Sequence, residues 1–158
     1  MEKLVQILAE MIDAHTRLLD LAKEKRTILV DGSIDGLQSV VIQENSCVNE
    51  IQKLDQQRQQ SVQEYMAQKG IMGHFFSLEE YLKSKDDGAL KSALTRMAEQ
   101  IRHLIQEISY LNESNQQLIL TSLSYIQFSV AMFVQKEPVI GYGPNAGNHY
   151  SNLLDAKV

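Results

Sequence analysis

Residues 1–137 of this 158-residue chain contain no proline; the two prolines are Pro138 and Pro144. Proline removes a helical hydrogen bond and clashes with the preceding turn, so a stretch this long without one permits very long helices. Gln, Leu, Glu, Lys, Ala and Met, which fill much of it, are good helix formers. Aromatic residues make up only 6 % and Trp is absent, which is thin for a β-sandwich or barrel. The expected class is all-α.

Glycine marks the breaks. Within 1–137 the glycines are Gly32, Gly36, Gly70, Gly73 and Gly88, at 31–36, 70–73 and 86–88. Between them apolar residues recur at helical spacing. The first segment, about 3–30, carries a seam of Leu4, Leu8, Met11, His15, Leu18, Ala22 and Leu29, with Lys25 also on it. Asp31 and Gly32 read as its stop. Ser33 is placed to cap the next helix, and Asp35 lies in a first turn that favours negative charge.

The second segment, about 34–69, has its seam at Leu37, Val40, Glu44, Cys47, Ile51, Leu54, Arg58, Ser61 and Tyr65, widened by Val41, Val48 and Val62. A connection as short as 31–33 joins antiparallel neighbours, so the two segments should form a helical hairpin. Glu44 and Arg58 are two heptads apart and cannot pair with each other; Glu44 is positioned to meet Lys25 across the hairpin. Residues 70–87 form a linker with a short helix at 77–85. Ser77 and Glu80 make a capping box there, with Phe76 and Tyr81 as a hydrophobic staple. Asp86 or Asp87 would cap the third segment.

That third segment, about 89–134, repeats in heptads: Leu90, Leu94, Met97, Ile101, Leu104, Ile108, Leu111, Asn115, Leu118, Ser122 and Tyr125. Its polar member Asn115 is the kind of seam residue that fixes register at some cost in stability. Then the character changes. No charged residue occurs from Ser114 to Gln135, and the apolar residues there cover more than one face. At 1.5 Å per residue the second segment spans roughly 54 Å and the third roughly 69 Å. Packed side by side from the 70–88 connection, the third overshoots by about ten residues, near 125–134. An apolar surface without an intrachain partner needs something else to cover it.

The predicted architecture is therefore an elongated antiparallel helical hairpin plus a long third helix, a three-helix coiled-coil-like bundle over 1–137. A flexible tail occupies 138–158, with sticky spots at 142–145 and at Leu153 and Leu154. A membrane span over 118–134 is disfavoured, because Thr121, Ser122, Ser124, Gln127 and Ser129 interrupt a stretch already short for one. The net charge of −5, with no basic run beyond Lys23, Lys25 and Arg26, speaks against nucleic acid. The N-terminal residues, with acids at Glu2, Glu10 and Asp13, do not read as a signal peptide.

The sequence offers no catalytic or cofactor pattern. Cys47 is the single cysteine. It excludes an internal disulfide, fits a reducing compartment, and reads as a buried, inert thiol. His15, His74, His103 and His149 lie in four different segments, and no Glu-x-x-His motif of a di-iron bundle is present. His15 on the seam reads as a packing residue, and His103 as a surface one. Neither a Gly-x-Ser-x-Gly elbow nor a Gly-rich phosphate loop occurs. No enzyme activity, cofactor or metal is expected.

Several stretches resemble the FlgN-type flagellar export chaperones. They are LLDLAKEKRTIL at 18–29, DGSIDGL at 31–37, ENSCVNEIQKLDQQR at 44–58, NQQLILTSLSYI at 115–126 and YGPN at 142–145. Their order and spacing carry the likeness, which spans about residues 4–145. The resemblance implies a cytoplasmic chaperone of the hook–filament junction proteins FlgK and FlgL. It would hold their amphipathic terminal helices, prevent early assembly and deliver them to the export gate at the membrane. On that reading Leu118, Ile119, Leu123, Ile126, Val130 and Phe133 contact the client. Tyr142, Gly143 and Asn145 dock on the gate, with Tyr142 as the aromatic anchor. A homo-oligomer is allowed when no client is bound. The alternative is a structural, self-assembling coiled-coil protein that uses the same seam without a client.

Overall fold

The structure, a computed structural model, describes residues 2–73, 77–84 and 88–136. The order of elements is α1 (Glu2–Asp31), α2 (Ile34–Gln68), α3 (Leu78–Lys83) and α4 (Gly88–Lys136). No strand occurs among the described residues, and the fold is all-α as expected. The chain divides into two units, Met1–Ile119 and Leu120–Val158.

Local chemistry sets the helix ends. Gly32 has φ +74°, the left-handed conformation that ends a helix most cheaply at glycine. The amides of Gly32 and Ser33 both donate to the carbonyl of Ile28, at 2.9 and 3.3 Å. Ser33 then caps α2, its hydroxyl accepting from the amide of Gly36. Gly70, with φ +72°, ends α2 in the same manner, and the Ile71 amide reaches back to the Met66 carbonyl at 3.0 Å. The capping box of α3 is present in both halves: Ser77 accepts from the Glu80 amide and the Glu80 carboxylate accepts from the Ser77 amide. This helix stops earlier than 85, because the Ser84 hydroxyl turns back to the Tyr81 carbonyl at 2.7 Å. Phe76, Asp86 and Asp87, expected as staple and caps, lie outside the described residues.

In the first unit α1 and α2 form the antiparallel hairpin. Arg17 pairs with Glu50 at 2.7 Å, and Lys25 pairs with Glu44 at 2.9 Å. The second pair is the cross-hairpin contact expected from the sequence. It is largely shielded, with side chains 19 % and 13 % exposed. Such a pair adds little net stability, yet leaving one partner alone is costly, so it fixes which residues face each other. Arg58 pairs instead with Asp55 on its own helix at 2.8 Å.

The core gathers Leu4, Leu8 and Met11 of α1 with Leu54, Val62 and Met66 of α2, Tyr81 of α3, and Leu94 and Ile101 of α4. Early residues of α1 and α4 thus share a core, while later ones, Ala22 and Asn115, meet through a hydrogen bond. The two helices therefore run parallel. The buried stripe of α1 is wider than the predicted seam: Ile7, Ala14 and Leu19 are buried with it, while Leu18 is only half-buried. A globular helix buries a broader face than the two-position seam of a coiled coil. One assignment is corrected in α2. Val48 does not widen the buried face but is 38 % exposed, since it comes one residue after Cys47 and turns away from α1.

Two polar core candidates behave as read. His15 is buried, and its Nδ1 hydrogen-bonds the Met11 carbonyl at 2.6 Å. Cys47 is buried, its thiol donating to the Ala14 carbonyl at 3.1 Å across the hairpin. Burial pushes the thiol pKa up, which makes it a poor nucleophile. His103 sits on the surface, 3.7 Å from Glu107.

Candidate functional site

The site is built on α4, whose two parts differ in what surrounds them. Up to Ile119 the helix belongs to the first unit. There Leu94, Ile101, Ile108 and Asn115, seven residues apart, are all buried. Leu90, Met97, Leu104, Leu111 and Leu118 are half-buried between them. This is the heptad seam that the sequence sets out.

Asn115 is its last buried member, 2 % exposed. Its Nδ2 donates to the Ala22 carbonyl of α1 at 3.0 Å. Its Oδ1 has no hydrogen-bond partner among the described residues. A buried acceptor left unpaired costs on the order of 1–3 kcal/mol. An apolar residue would avoid that cost, but would not select one register of α4 on α1 as a single amide–carbonyl pair does. The neighbouring Ser114 hydroxyl accepts from Arg26 of α1. Ser114 and Asn115 thus tie α4 to the last turns of α1.

Beyond this layer the seam does not continue in buried form. The expectation that it runs through Ser122 and Tyr125 is corrected: both are exposed, as is every residue from Leu120 to Val134. The seam residue after Leu118 is a serine, so the pattern no longer carries enough apolar bulk to bury that face. Exposure starts at Leu120 rather than near 125, because the pattern weakens before the helix-length arithmetic alone would end it.

The surface in the second unit is apolar to an unusual degree. Leu120, Leu123, Tyr125, Ile126, Phe128, Val130, Met132, Phe133 and Val134 are between 43 % and 71 % exposed. Burying one such side chain completely is worth about 1.5–3 kcal/mol. A soluble protein seldom leaves so large a contiguous patch uncovered without a use for it. No charge interrupts it between Glu113 and Lys136. By length and mean hydropathy, 1.5 in its most apolar window, α4 also meets the requirement for crossing a membrane.

The six residues that the resemblance assigns to client contact fall on both sides of the unit boundary. Leu118 and Ile119 are half-buried in the first unit. Leu123, Ile126, Val130 and Phe133 are exposed in the second. Tyr125, Phe128 and Met132 are among the apolar residues by which this stretch covers more than one face, and they are not among those six. All three are exposed. Their spacing of three and four residues could have revealed them as a stripe of their own. Tyr142, Gly143 and Asn145 lie outside the described residues. Among the described residues, no group of three or more His, Cys, Asp or Glu side chains could hold a metal ion.

Compared with known families, the chain matches the family model described as FlgN protein over residues 1–149. No curated protein matches it, and no solved structure does.

Proposed function

The chain belongs to the FlgN family of flagellar export chaperones, and from that premise we propose that it binds the hook–filament junction proteins FlgK and FlgL in the cytoplasm. It holds their amphipathic terminal helices against α4, prevents early assembly and delivers them to the export gate. The observation that carries this reading is the uncovered, charge-free apolar run from Leu120 to Val134. An amphipathic client helix laid along it satisfies both surfaces, the helix-in-groove mode of recognition. Leu123, Ile126, Val130 and Phe133 form the contact face of the second unit, and Leu118 and Ile119 of the first unit are the other two client contacts of this reading. No stable membrane insertion is involved in this reading: although α4 passes on length and mean hydropathy, Thr121, Ser122, Ser124, Gln127 and Ser129 break up its most apolar stretch. With a net charge of −5, nucleic acid is not a partner.

Size-exclusion chromatography with light scattering tests the client assignment. The full chain, mixed with purified FlgK, should elute as a 1:1 heterodimer. An unchanged homo-oligomer with free FlgK beside it would favour a self-assembling coiled coil without a client.

The delivery step rests on Tyr142, Gly143 and Asn145 in the tail. A tyrosine, amphipathic and with few rotatable bonds, is a residue type enriched at binding hot spots. The substitution Tyr142→Ala should leave FlgK binding unchanged and weaken docking on the cytoplasmic part of the export gate at least tenfold. Biolayer interferometry on the immobilised gate domain reads this directly, and an unchanged gate affinity removes the tail from the docking site.

A further inference from the structure

The exposed end of α4 is apolar on two sides, and the proposed contact face uses only one of them. With 3.6 residues per turn, Leu123, Ile126, Val130 and Phe133 line one stripe, stepping three, four and three residues. Thr121, Tyr125, Phe128 and Met132 line a second, stepping four, three and four. The two stripes are separated by about 150° around the helix axis. Ser122 and Ser129 divide them on one side; on the other lie Ser124, Gln127 and Ala131, with the exposed Leu120 and Val134 at the two ends of that sector. Every residue of both stripes is exposed and uncharged. A helix that binds one partner needs one such stripe; a helix set between two neighbours needs both.

We infer that this part of α4 is a two-sided platform, and that one client chain covers it with two helices, one on each stripe. The inference rests on the proposed client binding and specifies the form that the client takes. Area decides between this and the other occupants. Four side chains with the exposures found here offer roughly 300–400 Å² per stripe, given that an aromatic side chain buries about 150–250 Å². A stable interface needs about 800 Å² on each partner. One stripe provides at most about half of that, and both together approach it. A second copy of this chain seated on the Tyr125 stripe alone would bury only the area of a crystal-packing contact. Two helices joined in one client add their areas, because the second docks at the effective concentration set by the linker.

The geometry also bounds that linker. Helix axes pack about 8–10 Å apart, so the two client helices sit on the order of 17 Å from each other across α4. An extended chain covers at most about 3.3–3.6 Å per residue and must clear the α4 side chains as well. The connecting segment therefore has at least about six residues. The platform takes a helix–linker–helix element, not a single amphipathic helix.

A photo-crosslinking amino acid at position 126 or at position 128 of the full chain, in complex with full-length FlgK, tests this. Mass spectrometry of the linked peptides should place both positions on one FlgK molecule, at two helices separated by six residues or more. In parallel, Phe128→Lys combined with Met132→Lys should lower the FlgK affinity at least 100-fold. Crosslinks from 128 to a second copy of the chaperone, to the same client helix as 126, or to nothing would overturn the two-sided platform and leave the client reading standing. So would an unchanged affinity of the Phe128 and Met132 variant. Failure of the unsubstituted chain to bind FlgK at all would overturn both.

Discussion

Tyr81→Ala should destabilise the protein by about 3–5 kcal/mol, the cost of truncating a fully buried aromatic side chain. Tyr81 heads the largest fully buried side chains of the described residues and is 2 % exposed. It comes from α3, a helix of six residues. A helix that short has no stability of its own in water, and its capping box contributes only part of what it needs. The rest comes from tertiary contact. The Tyr81 ring meets Tyr65 of α2 edge-on, with centroids 4.6 Å apart and planes at 62°. Leu78 and Leu82 pack beside it on the core. Removing the ring opens a cavity among core residues of α1, α2 and α4 and takes away the anchor of α3. Urea denaturation monitored by circular dichroism should show the midpoint falling with the slope nearly kept. A loss below about 1 kcal/mol would mean that α3 is an accessory and that the core closes without it.

The helices and their ends were legible because they depend on local chemistry. The left-handed glycine at Gly32, the serine caps at Ser33 and Ser77, and the Glu80 carboxylate each act within a turn of their own position. The pairing of Lys25 with Glu44 was legible for a related reason. A short turn fixes the hairpin register, and two opposite charges on facing seams then have one place to meet. The full width of the buried face on α1 was not legible. Ile7, Ala14 and Leu19 lie off a strict heptad, and their burial depends on α2 and α4 approaching from two directions.

The end of the buried seam on α4 shows a second limit. Heptad spacing carries the pattern through Ser122 to Tyr125, since spacing alone does not register how much apolar bulk a serine lacks. The structure breaks the seam after Asn115 and Leu118, where burial stops and charge has already disappeared. The uncharged run from Ser114 to Gln135 marks the right region. That its apolar residues, Tyr125, Phe128 and Met132 with them, cover more than one face was legible too; that exposure begins as early as Leu120 was not, since spacing carries no measure of burial.

Ile126→Asp combined with Val130→Asp should abolish FlgK binding while leaving the fold intact. Both side chains are about half exposed or more in the free chain, 57 % and 45 %, so aspartate there stays hydrated and costs the folded state little. In the complex the same carboxylates would be covered by the apolar face of a client helix. Removing an unpaired charge from water in this way costs about 3–5 kcal/mol, and each 1.4 kcal/mol is tenfold in affinity. One such carboxylate already predicts more than a 100-fold loss, and two place the complex beyond detection at micromolar concentrations. The two positions are four residues apart, neighbours on one face, so a single client helix cannot avoid both by shifting along α4. Isothermal titration calorimetry measures the binding, and circular dichroism with thermal melting measures the fold. A variant that melts early would show that Ile126 and Val130 stabilise the chaperone itself. A variant that folds and still binds FlgK at the original affinity would move the client off this stripe altogether.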